Sequence, residues 1–305
     1  MLLRATDRGL QVWTPAKLNL FLEVLSRRAD GFHEIETLIC PIGLYDTLTF
    51  DDAPTGHIDF SSAWAADEDC SVEIPQGADN TVVRALTLLR QAAGTDRGAR
   101  VRLLKRIPAA AGLAGGSSDA AAALVAANRV WHLNLRRERL AEIAAAVGSD
   151  VPFFLGGGPA ICRGRGERIE PVEAPRLDFV LVHPPQGLGT AEVYRACRPA
   201  DDPRTAAAVV TAWRAGCLAE VGRRLHNGLQ AAARTLTDAI GRLETEFAKL
   251  DLLGHAMSGS GSSYFGLCRS RRQAGRNAAL LRSRGLGRAF AVSSVAGPEC
   301  QRMSA

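Results

Sequence analysis

Lysine is almost absent from this chain. Of 37 basic residues among 305, only Lys17, Lys105 and Lys249 are lysines, and the rest are arginine. Where lysine stands against that bias, a compact ammonium is wanted rather than a flat guanidinium fork. Cysteine forms no framework either. Cys40, Cys70, Cys162, Cys197, Cys217, Cys268 and Cys300 are odd in number, scattered and without a Cys-x-x-Cys pair. That argues against a disulfide scaffold or a zinc site and predicts scattered buried thiols. No apolar run reaches the ~18 residues that cross a bilayer. Residues 1–12 carry charges but no apolar signal core, so the chain reads as cytoplasmic, with no membrane partner. A strong charge of one sign is missing too: the net charge is +5, from 37 basic and 32 acidic residues. No basic cluster is interleaved with aromatics, which argues against nucleic acid as a partner. The mild positive balance suits a small-molecule substrate that carries a polyphosphate.

What is present is an ordinary globular composition, 47% hydrophobic and 23% charged, in a chain long enough for two lobes. Residues 11–26 and 33–50 read as extended, on either side of the turn-like Arg28-Ala29-Asp30-Gly31, and 56–62 as a further strand. Residues 80–93 carry apolar side chains at helical spacing. A short strand at 101–104 leads into a Gly/Ala-rich loop at 108–116, then helices at about 117–131 and 137–147. Residues 148–170 read as short strands broken by glycines. A lobe boundary is expected near Glu173-Ala174-Pro175, giving lobes 1–172 and 173–305. Beyond it come a buried strand at 178–183, helices at about 204–216, 219–234 and 237–249, and strands at 263–268 and 288–295 flanking a helix at 271–284. This order predicts an α+β fold.

The strongest local signal is Pro108-Ala109-Ala110-Ala111-Gly112-Leu113-Ala114-Gly115-Gly116-Ser117-Ser118-Asp119, between a strand and a helix. Glycines let backbone N–H groups approach a phosphate, and a helix N-terminus adds free donors and a positive dipole end. Ser117 and Ser118 can donate hydroxyl hydrogen bonds, or one can cap the helix. The loop is not a Walker A motif, since the chain contains no Gly-Lys pair, and its spacing does not fit a dinucleotide fingerprint.

Three segments together resemble the GHMP kinases: Pro15-Ala16-Lys17-Leu18-Asn19-Leu20, the 108–118 loop, and Met257-Ser258-Gly259-Ser260-Gly261-Ser262. Two more, Arg28-Ala29-Asp30-Gly31-Phe32-His33-Glu34-Ile35-Glu36-Thr37 and Gly148-Ser149-Asp150-Val151-Pro152-Phe153-Phe154, are similar to signatures of the diphosphocytidyl-methylerythritol kinases within that family. The resemblance runs from about Trp13 to Val295. It implies a two-lobed GHMP kinase fold, with an N-terminal split β-α-β lobe, a C-terminal ferredoxin-like lobe and the active site in the cleft. It implies transfer of the ATP γ-phosphoryl group to the 2-hydroxyl of a methylerythritol, a step of the non-mevalonate isoprenoid pathway. Mg²⁺ should accompany ATP, because the β- and γ-phosphates need charge neutralisation; no carboxylate cluster nominates a protein ligand for it. A homodimer is compatible with the resemblance.

The resemblance also distributes roles. Asp150 is the expected general base, on an extended segment stiffened by Pro152, orienting the hydroxyl and accepting its proton late. Lys17 is its expected partner, offsetting charge at the attacking oxygen, with Asn19 holding the pair by hydrogen bonds. Pro108, Ala111, Gly112, Leu113, Ala114, Gly115, Gly116, Ser117 and Ser118 are expected on ATP, with Asn80 and Lys105 near adenine or ribose. His33 is expected to read cytosine, since a neutral imidazole offers one donor and one acceptor. Phe32 stands where many members have tyrosine; stacking survives that change and a hydroxyl contact does not. Tyr194 aligns with a second aromatic on the base, or serves as a core helix residue. Gly259, Ser260 and Gly261 are expected to close over the phosphates or the substrate diphosphate. Two alternatives stay open. One is another GHMP kinase acting on mevalonate, homoserine or a sugar; the Asp30–Thr37 segment speaks against it. The other is a catalytically silent nucleotide-binding module, against which Lys17 and Asp150 stand together.

Overall fold

The computed structural model describes residues 1–54, 56–65 and 73–295. In chain order the elements are β1 (Leu2–Thr6), β2 (Gly9–Arg27), β3 (His33–Ala53), β4 (Ile58–Trp64), α1 (Thr81–Ala93), β5 (Gly98–Lys105), α2 (Gly115–Val130), α3 (Arg137–Val147), α4 (Val151–Gly156), β6 (Ala160–Gly164), β7 (Arg168–Pro171) and β8 (Asp178–His183). They continue as α5 (Thr190–Ala196), α6 (Ala207–Arg214), α7 (Leu218–Arg223), β9 (His226–Asn227), α8 (Gln230–Leu236), α9 (Asp238–Ala248), β10 (Gly254–Met257), β11 (Tyr264–Cys268), α10 (Arg271–Ser283) and β12 (Arg288–Ser293).

Two sheets result. The first runs β1-β2-β3-β5-β4, with β6 on β3, β7 on β6 and β9 on β2. β4 and β5 are parallel and joined through α1, while β2, β3 and β5 are antiparallel neighbours. This is the split β-α-β lobe. The second sheet has the order β10-β11-β8-β12, antiparallel throughout. Read from β12, the four strands follow the ferredoxin-like order of fourth, first, third, second. The expected α+β class and two-lobed fold are therefore present.

The long β2–β3 hairpin is the spine of the molecule. Val12 packs with Phe50, Leu86 and the alanines of α2 on one side. Further along β2, Ala16, Leu18 and Leu20 share a core with Phe179, Leu181 and Phe265 of the second sheet. β2 therefore carries Lys17 and Asn19 to the place where the two sheets meet. The run of buried alanines in α2 keeps that helix close to the sheet, where the Thr14 hydroxyl of β2 donates to the Ser118 carbonyl at 2.9 Å.

Four expectations need correction. Residues 151–156 form helix α4 and not an extended segment; Pro152 lies in its first turn, where a missing N–H costs nothing. Helix α2 begins at Gly115, two residues earlier than the sequence suggests. The helix expected at 219–234 is interrupted by β9, because His226 and Asn227 pair in parallel with Phe21 and Leu22. Finally, not every thiol is buried. Cys40, Cys162 and Cys268 are, but Cys197 is half-buried and Cys217 exposed; Cys70 and Cys300 lie outside the described residues.

Candidate active site

A cleft of about 710 Å³ opens between the sheets, lined by β2, the β2–β3 turn, the 108–117 loop, the start of α4, α5 and the 259–260 turn. That volume lies within the ~300–1,000 Å³ typical of ligand sites.

Lys17 sits at its floor, 4% exposed. Its ammonium donates to Asn19 Oδ1 at 2.5 Å and lies 4.0 Å from Asp150 Oδ2. Asn19 is locked in turn: its Nδ2 donates to Thr37 Oγ1 at 2.8 Å, and Thr37 donates to the Phe21 carbonyl at 2.6 Å. Burial holds the Lys17 ammonium below the usual lysine range, and the Asp150 carboxylate opposes that fall. The Asp150 side chain is 35% exposed, at the head of α4, and caps no backbone N–H. A capping role therefore does not occupy it. Buried Phe153 and Phe154, with ring centroids 5.1 Å apart, anchor α4 beneath it.

The two glycine segments meet beside this pair. Lys17 N–H donates to the Leu113 carbonyl at 3.1 Å, and Ser263 N–H to the Ala111 carbonyl at 3.2 Å. Ser258 Oγ donates to the Gly112 carbonyl at 3.0 Å. A Cβ on Gly112 would lie 2.1 Å from the Ser258 carbonyl oxygen, and φ there is +70°. Gly259 has φ +57°, and a Cβ on it would sit 3.0 Å from Lys17 Nζ. These two positions need glycine for both space and backbone conformation.

Helix α2 starts without a side-chain cap. Its N-cap is Ala114, in the left-handed region at φ 55°, where an alanine costs of order 1 kcal/mol or more. The N-cap is thus not a serine, contrary to one of the two roles the sequence allows for Ser117 and Ser118. The first N–H groups of the helix are left for an anion. Ser118 is fully buried, and its hydroxyl donates to the Pro15 carbonyl at 2.6 Å. Ser117 lines the cleft, with no hydrogen bond from its hydroxyl to the described residues.

At the far end, Phe32 is 49% exposed and lies under the Arg165 guanidinium, 4.8 Å from ring centre to carbon. His33 and Tyr194 face each other with centroids 5.1 Å apart. Burial first, then the Arg27 charge, lower the His33 pKa, which favours the neutral imidazole.

The cleft thus brings together Lys17, Asp150, Asn19, Phe32, His33, Tyr194, Pro108, Ala111, Gly112, Ala114, Ser117, Gly259 and Ser260. It does not bring in Leu113, Gly115, Gly116, Ser118, Gly261, Asn80 or Lys105. Asn80 caps α1, accepting from Val82 N–H at 2.8 Å and donating to the Pro75 carbonyl at 2.7 Å. Lys105 is buried between Asp46 and Asp119. Sequence reasoning overlooked Arg27, Arg165, Arg195, Ser149 and Thr190, all in the lining. Thr190 shares a 3.0 Å hydroxyl contact with Ser260. Arg165 stands between Gly164 and Gly166, and that Gly-Arg-Gly pattern is the one local signal that pointed to it. Among the described residues no cluster of three or more His, Cys, Asp or Glu forms a metal site, and no helix is long and apolar enough to cross a membrane.

Comparison with known proteins identifies the family and the fold. Residues 80–158 match the GHMP kinases N terminal domain, and residues 204–283 the GHMP kinases C terminal domain. A 4-diphosphocytidyl-2-C-methyl-D-erythritol kinase of Pelotomaculum thermopropionicum is 44% identical over 83% of this chain and 86% of its own. One from Polaromonas is 40% identical over 83% and 81%. A crystal structure of 4-(cytidine 5'-diphospho)-2C-methyl-D-erythritol kinase superposes with a TM-score of 0.79 at 37% identity, covering 94% of this chain and all of that one. A mevalonate kinase from L. major reaches a TM-score of 0.70 at 16% identity, over 96% of this chain and 97% of its own, a likeness of fold alone.

Proposed function

The chain belongs to the GHMP kinases, and from that membership we propose that it transfers the γ-phosphoryl group of ATP to the 2-hydroxyl of 4-diphosphocytidyl-2-C-methyl-D-erythritol. Within the family it stands with the kinases of that name, which places it in the non-mevalonate isoprenoid pathway. The observation that carries the mechanism is the Lys17–Asp150 pair, 4.0 Å apart at the floor of the cleft, between the two glycine segments.

Asp150, half-exposed and uncapped, accepts the proton of the substrate hydroxyl late in a loose transition state. Lys17, held by Asn19 and poor in solvent, offsets charge growing on the attacking oxygen. The uncapped α2 N-terminus and the 111–114 backbone receive the triphosphate. Mg²⁺, when bound, would neutralise charge on the β- and γ-phosphates; the cleft-facing Ser117 hydroxyl, without a hydrogen bond to the other described residues, would fit it as a protein ligand. Phe32 and Tyr194 offer faces to a cytosine ring while the neutral His33 reads its edge. Arg27, Arg165 and Arg195 surround the path a diphosphate would take. The reading extends to lobes at 1–172 and 173–305, and to a cytoplasmic location.

The test offers the purified protein ATP and Mg²⁺ with diphosphocytidyl-methylerythritol beside mevalonate, homoserine and galactose, and follows ADP. Turnover of the cytidylyl alcohol alone is expected. Turnover of another alcohol would keep the kinase and discard the substrate; ATP binding without turnover of any would point to a silent binding module.

A further inference from the structure

The 259–260 turn lines the cleft, and one of its carbonyls is held by a side chain that the mechanism above does not use. His226 and Asn227 pair with Phe21 and Leu22 of β2, and Gly228 N–H donates to the Leu22 carbonyl at 2.8 Å. Asn227, fixed in this way, is 7% exposed and does not line the cleft. Its Nδ2 donates to the Met257 carbonyl at 2.7 Å and to the Gly259 carbonyl at 2.8 Å, and its Oδ1 accepts from Leu229 N–H at 2.9 Å. Both amide protons and the oxygen of this side chain are therefore engaged. Gln230, three residues further on, accepts from Met257 N–H at 3.0 Å and makes no bond to the turn itself.

Two peptide planes of the turn are fixed by their carbonyls. In a trans peptide the N–H points opposite to the C=O of the same plane. The Gly259 carbonyl is bonded to Asn227, so the Ser260 N–H of that plane points away from Asn227. The Ser258 carbonyl accepts from Gly261 N–H at 3.0 Å, which fixes the Gly259 N–H in the plane before it. Neither the Gly259 N–H nor the Ser260 N–H donates to another described residue, although both residues are buried and both line the cleft. A buried N–H without a partner costs free energy until a ligand takes it up. The turn also lies against the reacting pair. A Cβ on Gly259 would sit 3.0 Å from Lys17 Nζ, and Asn19 N–H donates to Ser258 Oγ at 3.3 Å.

We propose that Asn227 is a positioning residue for the transfer: by holding the Gly259 carbonyl, it keeps the Gly259 and Ser260 N–H groups oriented as donors to the anionic oxygens of the phosphoryl group that passes from ATP to the alcohol. The inference rests on the kinase reading above. Without the Asn227 amide, the Gly259–Ser260 plane is free to rotate, and a carbonyl oxygen turned into the cleft would repel the same anion. The donors would then have to be reoriented during the reaction, which is the cost that preorganisation removes. Lys17, Asp150 and the phosphate loop keep their other contacts, so the loss falls on the transition state and not on ground-state binding.

The experiment is steady-state kinetics of Asn227→Ala, Asn227→Asp and Gln230→Ala, with the folded fraction of each measured by denaturation on the same samples. Asn227→Ala should lower kcat per folded molecule by about 10²-fold, with KM for ATP and for the cytidylyl alcohol within about three-fold of wild type. Asn227→Asp keeps the shape and the acceptor for Leu229 N–H but, as a carboxylate, loses both donors; its kcat should fall as far. Gln230→Ala loosens β10 and not the turn, so it should lose stability while kcat stays within about three-fold of wild type. A folded Asn227→Ala or Asn227→Asp protein with kcat near wild type overturns the inference. So does a loss seen only as raised KM, or one shared equally by Gln230→Ala. If neither Asn227 variant folds, wild type decides by NMR: its Gly259 and Ser260 amide protons should move downfield when a Mg²⁺-loaded, non-hydrolysable ATP analogue is added, and amides that stay in place refute the inference. Wild-type turnover of the cytidylyl alcohol beside an unimpaired Asn227→Ala protein would refute this inference and leave the kinase reading standing; failure of wild type to bind the analogue or to turn over any alcohol would refute both.

Discussion

Two buried lysines stand on the same sheet and meet opposite surroundings. Lys17 faces one carboxylate across 4.0 Å, and that carboxylate is open to the cleft. Lys105 is closed in between two carboxylates that are almost fully buried. Burial acts on both ammonium groups, yet Lys17 ends below the ordinary lysine range and Lys105 above it. The difference is the number and closeness of the counter-charges. Under-compensated burial keeps an ammonium reactive toward a new negative charge, whereas saturated pairing turns the same group into a fastener. The third lysine, Lys249, is exposed and bonds Glu246 one helical turn away, and has no part in either arrangement.

Exchanging both lysines for methionine sharpens the contrast. Lys105→Met is expected to cost about 3–5 kcal/mol of folding stability, because it strands two buried carboxylates; equilibrium denaturation measures this, and a loss under ~1 kcal/mol would break the comparison. Lys17→Met is expected to lower kcat by about 10²–10³-fold while changing stability by no more than about 1 kcal/mol, since removing an under-compensated buried charge relieves desolvation. At the substrate end, Phe32→Ala should raise KM for the cytidylyl substrate by an amount equivalent to about 1–3 kcal/mol of stacking, whereas Phe32→Tyr should leave it nearly unchanged. The smallest effect is in the pH profile. Lys17 is lowered by burial and held up by Asp150, so the alkaline limb of kcat should begin below the usual lysine range. In any variant that neutralises Asp150 the limb should move to still lower pH, and a limb that stayed in place would uncouple the two groups.

Much of this contrast could be read from composition and motif. The scarcity of lysine marked both buried positions, though it marked the exposed Lys249 equally, and the β2–β3 hairpin, the glycine loop and the closing β-α-β unit follow from local pattern. What stayed hidden depends on partners distant in sequence. Lys105 was expected near adenine, but Asp46, 59 residues away, and Asp119 hold its ammonium. Pro152 reads locally as an extended signal, yet Phe153 and Phe154 bury against α2 and α3 and draw residues 151–156 into a helix. The break between α7 and α8 rests on the pairing of His226 and Asn227 with β2 and on Asn227 donating to the Met257 and Gly259 carbonyls at 2.7 and 2.8 Å, which no local periodicity encodes. Arg27 and Arg195 reach the cleft rim from elements whose placement only the packed sheets decide.

The most direct test of the account is the rate of ADP release by Asp150→Asn with diphosphocytidyl-methylerythritol, with ATP affinity measured on the same sample. Turnover reduced by about 10²–10⁴-fold, with ATP bound almost as tightly as by wild type, is the predicted result. An Asp150→Asn protein that turned over at a rate near wild type would contradict the central claim that the Lys17–Asp150 pair performs the transfer.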